Sequence, residues 1–102
     1  MKFHPLTLEF LRAASLRPGM FMQDFDLREL EVLVCGFEAG LHAAGVMKQY
    51  KGFNVAFGDF LRSAENYRFN RGWAEAILER YGQTERGFRE FLSLVERANS
   101  EG

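Results

Sequence analysis

The chain has 102 residues, about the length of one domain, and we expect residues 1–102 to form a single domain. Hydrophobic residues make up 47% of it and eleven are phenylalanines, whose large rings can build a core in a chain this short. The formal net charge is −1, with acids and bases balanced along the chain, which argues against nucleic acid or anionic lipid as a partner.

Cysteine content and hydropathy bear on the compartment. The single cysteine, Cys35, cannot form an internal disulfide, so the fold does not depend on oxidation. The sequence has no long apolar run for a membrane span, and residues 1–5 lack the apolar segment of a secretory signal. We therefore expect a cytoplasmic protein without membrane association.

The first predicted helix runs from about Pro5 to Ser15. Leu8 and Leu11 recur there at helical spacing. Pro18 and Gly19 then end the helix, because proline disfavours the helical conformation in the residue before it.

The second predicted helix has the strongest pattern in the chain. Asp26 is placed as its N-cap, with Glu29 completing a capping box. Apolar residues then follow in steps of three and four, making one continuous stripe from Leu27 to Ala44. Gly36 and Gly40 form a smooth ridge beside that stripe. Because glycine inside a helix costs roughly 1 kcal/mol relative to alanine, the ridge predicts a closely packed neighbouring helix.

Gly45 is placed to end the second helix, and three further helices follow it. Asn54, Asn70 and Thr84 are placed to cap the third, fourth and fifth helices. Each of these helices has an aromatic core face, and no segment alternates convincingly like a strand. The predicted fold is all-α, a compact bundle of about five helices with a central, buried second helix.

Histidine content restricts the enzymatic interpretations. A hydrolytic triad or a nucleophilic dyad needs a histidine near a serine or cysteine, and the chain offers only His4 and His42. The glycines of the second helix do not stand between a strand and a helix, as a phosphate-binding loop requires. We therefore expect no catalytic residue and no cofactor.

Four side chains with metal-ligand chemistry share one side of the second helix: Glu31, Cys35, Glu38 and His42. One helix face rarely supplies a complete coordination sphere, and the sequence shows no second ligand pair elsewhere. We expect no metal site here. The alternative that we favour is a half-exposed polar flank on which Cys35 packs as a small hydrophobic residue.

The segment from Arg62 to Trp73 has the composition of a protein-binding surface, since tyrosine, tryptophan and arginine are enriched there. Its candidate partner-binding residues are Arg62, Tyr67, Arg68, Arg71 and Trp73. In the alternative interpretation, Trp73 and Phe69 close the core at this corner, and the arginines pair with nearby acids.

Five segments, in the same order, resemble a family of small bacterial proteins. The sequence RPGMF at 17–21 is similar to the family's RPGMY opening, and GFEAGLHAAGV at 36–46 to the helix that follows it. Residues 57–61, 72–77 and 88–95 are similar to its three later helices. The chain departs from the family pattern in having Phe21 for the usual tyrosine.

The resemblance implies an all-helical protein without known activity, and some members resemble immunity proteins that neutralise a partner toxin. The leading hypothesis is therefore a non-catalytic protein-binding module, immunity-like and with a protein partner. One alternative is a structural homo-oligomer, such as a homodimer, whose phenylalanine-rich face pairs with itself. Another is a small-ligand-binding or enzymatic protein with an aromatic pocket between helices near His42.

Overall fold

The structure, a computed structural model, describes residues 2–101. Within that range it has five α-helices and no strand: α1 Pro5–Leu16, α2 Leu27–Ala43, α3 Phe53–Ala64, α4 Trp73–Tyr81 and α5 Glu85–Glu101. A short 3₁₀-helix, Pro18–Met20, lies between α1 and α2. The prediction of an all-α bundle of five helices is confirmed.

Two predicted N-caps and one predicted helix end are confirmed, but the predicted capping box is not formed, because Glu29 Oε1 accepts from the backbone N–H of Gln23 and not from that of Asp26. Asp26 Oδ1 accepts a hydrogen bond of 3.1 Å from the backbone N–H of Arg28, and Thr84 Oγ1 accepts one of 3.1 Å from that of Gly87. At the C-terminus of α2, Gly45 adopts a φ of +75°, a left-handed conformation that suits glycine. The side-chain oxygens of Asp26 and Thr84 accept hydrogen bonds from backbone N–H groups that have no partner inside their own helix.

The N-caps predicted for the third and fourth helices are wrong. The N-cap positions of α3 and α4 are Gly52 and Gly72, neither of which has a side chain. Asn54 lies inside α3, where its Oδ1 accepts a hydrogen bond of 2.7 Å from Trp73 Nε1, and Asn70 lies in the loop before α4. Both helix starts therefore need a polar partner from elsewhere in the fold.

Aromatic side chains of α3, α4 and α5 form the centre of the core. Trp73 stacks on Phe91 with ring centroids 4.7 Å apart, and Phe53 and Phe57 meet the edge of the same indole at 5.8 and 5.5 Å. All four rings are almost completely buried. Each such ring contributes on the order of 1.5–3 kcal/mol through burial, and well-oriented aromatic pairs add to this.

The second helix is central but only partly buried. α2 packs against α1, α3 and α4, and one stripe that contains Leu27, Leu30 and Val34 is buried. The prediction of a helix packed on the glycine ridge is wrong. Apart from the helix's own backbone and the two residues that flank each glycine, no atom of residues 2–101 lies within 4 Å of where a Cβ at Gly36 or Gly40 would stand. The remaining helix, α5, packs on α3 and α4 instead.

Candidate protein-binding surface

Two of the five predicted partner-binding residues belong to the core. Trp73 is 1% exposed and Tyr67 is 5% exposed, so neither can form part of a surface patch in this structure. The guanidinium of Arg80 lies 3.6 Å from the Tyr67 ring centroid and covers it. Burial raises the pKa of the Tyr67 phenol. The predicted patch is corrected accordingly, and for Trp73 the alternative of a core-closing role is the one observed.

The three predicted arginines, Arg62, Arg68 and Arg71, are exposed. Arg62 lies over the face of Phe69, with its guanidinium carbon 4.1 Å from the ring centroid, and is 3.9 Å from a carboxylate oxygen of Asp59. An exposed pair of this kind contributes little to stability. Together with Asp59, the arginines make a surface of mixed charge without a large, fully exposed aromatic side chain.

A cleft of about 260 Å³ lies at the corner between α3 and α4. Its charged lining residues are Glu31, Asp59, Arg62 and Arg71. Because two carboxylates oppose two guanidinium groups, the cleft has no net charge that would select an anion or a cation.

The deepest acid of this cleft, Glu31, supplies the missing cap of α4. Its Oε2 accepts a hydrogen bond of 3.2 Å from the backbone N–H of Ala74, in the first turn of α4. Burial raises the pKa of the Glu31 carboxyl, against the effect of the backbone hydrogen bonds from Ala74 and Trp73, which lower it. The carboxylate also lies at the positive end of the α4 dipole. Its position therefore fits a structural role.

Glu38, two helical turns further along α2, serves α3 in the same way. Its Oε1 accepts a hydrogen bond of 2.7 Å from the backbone N–H of Phe53, the first residue of α3. Its Oε2 accepts one of 2.7 Å from the hydroxyl of Thr7 on α1. Sequence reasoning missed both roles, because Glu31 and Glu38 were considered only as metal ligands or as part of a half-exposed polar flank. Their seven-residue spacing, which places both on one face of α2, was the available signal.

The other two members of the proposed polar flank do not join these carboxylates. Cys35 and His42 are both exposed, so the prediction that Cys35 packs as a small hydrophobic residue is wrong. Within residues 2–101 there is no group of three His, Cys, Asp or Glu side chains that could hold a metal ion. Glu31 and Glu38 point to helix N-termini instead of toward Cys35 and His42.

The alternative of an aromatic pocket near His42 gains no support from the described residues. His42 lies exposed in the last turn of α2, whereas the rings of Phe53, Phe57, Trp73 and Phe91 pack on one another in the core. Rings in mutual contact leave no room for a ligand between them.

The outward face of α2 is apolar although it is exposed to solvent. Val32 is 70% exposed and Leu33 is 42% exposed, and Gly36 and Gly40 lie open to solvent beside them. Between Val32 and Met47, Glu38 is the only Asp, Glu, Lys or Arg, and its side chain is buried. A solvated helix face normally carries charged residues, so this one is unusual.

Aromatic residues extend this apolar face toward the N-terminal part of the chain. Phe37 of α2 lies 4.7 Å from Phe10 of α1, which in turn lies 5.3 Å from Phe21, all as ring-centroid distances. Each of the three rings is partly exposed. Phe21, Val32 and Leu33 also line one shallow depression. We call the residues Phe21, Val32, Leu33, Gly36, Phe37 and Gly40 the α2 face.

None of the helices within residues 2–101 is both long enough and apolar enough to cross a membrane. In comparisons with protein-family models, curated proteins and solved structures, no match to the chain was found. The resemblance to small bacterial proteins therefore stays a prediction.

Proposed function

We propose that the chain is a non-catalytic protein-binding module and that the α2 face is its contact surface. One observation carries the proposal: sixteen consecutive residues, Val32 to Met47, present no exposed carboxylate, ammonium or guanidinium group to solvent. A contiguous exposed apolar surface is typical of a site that another protein covers.

The arrangement of charged groups supports this choice of surface over the α3–α4 corner. Two of the three acids of α2, Glu31 and Glu38, are turned inward and cap α4 and α3, and the third, Glu29, is exposed in the first turn, so no exposed acid follows it along the helix. At the corner, by contrast, the two large aromatic residues Tyr67 and Trp73 are buried. Binding energy at interfaces comes mostly from large side chains that become desolvated, and the α2 face offers more of them.

A narrower proposal makes the partner a toxin and the chain an immunity-like protein. It is supported only by the resemblance of residues 17–21 and 36–46, together with the small size of the domain. In that case the chain would cover a functional surface of the toxin with the α2 face.

The proposal is tested by placing a charge on the α2 face. Val32→Glu should abolish the capture of specific partner proteins by cross-linking in the cells that produce the chain, because burying an unpaired carboxylate is costly. Val55→Glu is the matched control, since Val55 is 58% exposed on α3, beside the corner cleft. Both variants should keep the unfolding free energy of the unmodified chain within about 0.5 kcal/mol.

The opposite pattern contradicts the proposal. Partners lost with Val55→Glu but kept with Val32→Glu would assign binding to the corner between α3 and α4. For the narrower proposal, a captured toxin should be inhibited by the unmodified chain and not by Val32→Glu.

A further inference from the structure

We propose that the partner of the α2 face is a second copy of this chain, with the two α2 helices packed antiparallel across a two-fold axis. The inference rests on the proposed function, because it uses the same surface, and it adds the identity and orientation of the partner. The axis passes midway between Gly36 and Gly40, where the helix surface is smoothest.

The shape of the face is complementary to itself in this arrangement. Its N-terminal half carries the bulky, exposed Val32 and Leu33, and its C-terminal half carries the small Ala43 and Ala44. A two-fold axis at the level of position 38 sets Leu33 of one copy opposite Ala43 of the other, and Val32 opposite Ala44. Bulky side chains then meet small ones on both sides of the axis, as helix packing by ridges and grooves requires.

The charges are also complementary. The first turn of α2 carries the exposed Arg28, which is paired with Asp26 and Glu75, and the exposed acid Glu29. The first exposed cation beyond the C-terminal end of α2 is Lys48. In the antiparallel pair, Glu29 of each copy lies near the C-terminal end of α2 in the other copy, and Lys48 follows that helix end in the sequence. The helix dipoles also run in opposite directions, which is favourable, and no like charges meet at the centre of the face.

The dimer would explain why positions 36 and 40 are glycine, which no contact within the monomer explains. Each costs the helix roughly 1 kcal/mol relative to alanine. Neither has a close neighbour among the described residues outside its own helix, and neither has a positive φ that would require glycine. In the antiparallel pair they let two backbones approach closely, as small residues do where helices cross.

The size of the surface predicts a reversible dimer. The seventeen residues of α2 span ~26 Å, and a helix is about 10 Å wide, so α2 alone would bury less than a standard interface. Contacts from Phe21, which lines the same depression as Val32 and Leu33, would enlarge it. A small, mostly apolar interface of this kind is typical of weak association.

Sedimentation velocity over a concentration series tests the dimer. The unmodified chain should shift from monomer to dimer as its concentration rises. Gly40→Leu should raise the dissociation constant at least ~10-fold, because the leucine blocks the close approach of the helices. The same substitution should leave the unfolding of the dilute monomer unchanged or raise its midpoint, since the position is open in the monomer. Val55→Glu should leave the dimer intact.

Cross-linking tests the orientation. In a Cys35→Ser background, Ala39→Cys places the two thiols ~3 Å apart along the helix axis in the antiparallel pair, whereas Ala43→Cys places them ~15 Å apart. A short thiol-specific cross-linker should therefore join the first variant and not the second. In a parallel pair both variants would react.

Three results would overturn the inference: a monomer at every concentration, a dimer that Gly40→Leu leaves unchanged, or equal cross-linking of both cysteine variants. The chain could prove monomeric while Val32→Glu still abolishes the capture of a different protein. That result would refute the second copy as the partner and leave the proposed function standing.

Discussion

The carboxylate of Glu31 lies in the space that a side chain at Gly72 would need. A Cβ built at Gly72 would stand 2.6 Å from Glu31 Oε1 and 2.7 Å from Cδ, closer than such atoms approach in proteins. The absence of a side chain at the N-cap of α4 thus lets a glutamate from α2 reach the first turn of that helix. Two distant parts of the chain are joined by this contact.

Gly72→Ala should therefore destabilise the fold through Glu31. Gly72 has φ −68°, which alanine adopts readily, so the cost should arise from displacement of the carboxylate and loss of its hydrogen bond to Ala74. We expect a loss of about 1 kcal/mol beyond the N-cap preference, measured by urea unfolding.

The control is the equivalent change at the other glycine cap. Gly52→Ala should cost less, because its Cβ would lie 3.6 Å from Glu38 Oε1, an ordinary contact distance. In a Glu31→Ala background the extra cost of Gly72→Ala should disappear. An equal cost in both backgrounds would mean that Glu31 does not depend on the missing side chain.

The raised pKa of Glu31 predicts a pH dependence of stability. Burial raises the pKa of this carboxyl in the folded state, so the folded protein holds the proton more tightly than the unfolded chain does. The stabilisation from this proton is complete below the unfolded pKa and is lost as pH rises through the folded pKa. Relative to Glu31→Gln, the unfolding free energy of the unmodified chain should thus fall as pH rises above the ordinary pKa range of a glutamate. A difference that is flat or rises over this range would contradict the assignment.

The helix content followed from the sequence, because apolar periodicity reports which residues face a core. Thr84, Asp26 and Gly45 were placed correctly, since each acts on backbone groups within a few residues of itself. The caps of α3 and α4 were not, because their carboxylates come from a different helix. A cap that is supplied by a residue distant in the sequence cannot be recognised from the residues next to the helix start.

The candidate surface was predicted less well than the fold, for a related reason. Aromatic residues are typical of both binding surfaces and cores, and composition alone could not show that Trp73 faces Phe91. The glycine ridge at Gly36 and Gly40 was predicted to carry a neighbouring helix, and no helix within residues 2–101 packs there. That no other helix of this chain covers the ridge depends on where α5 packs, which periodicity does not determine.

Trp73 should behave as a core residue in mutational tests. Trp73→Ala should cost ~3–5 kcal/mol in unfolding free energy, because it leaves a large cavity beside Phe91 and removes the hydrogen bond to Asn54. Trp73→Phe should cost less than Trp73→Ala. It is the variant to measure if Trp73→Ala does not fold. Arg71→Ala, at the exposed end of the same segment, should change the unfolding free energy by less than ~0.5 kcal/mol. Equal effects of Trp73→Phe and Arg71→Ala would contradict the core position of the indole.

Cys35 and His42 should be dispensable for stability. Both side chains are exposed, so Cys35→Ala and His42→Ala should each change the unfolding free energy by less than ~0.5 kcal/mol. The native protein should react with a thiol reagent at Cys35 without unfolding. Added Zn²⁺ should not raise the melting temperature. A zinc-dependent rise that both substitutions abolish would restore the metal hypothesis.

Hydrogen–deuterium exchange in dilute and concentrated solutions of the chain tests the central claim most directly. If the α2 face binds a second copy, amides between residues 32 and 44 should exchange more slowly at high concentration, because association stabilises the helix against local opening. Amides of the α3–α4 corner, residues 62–73, should exchange at the same rate in both solutions. Concentration-dependent protection of the corner, with exchange in α2 unchanged, would contradict the claim that the α2 face is the binding surface.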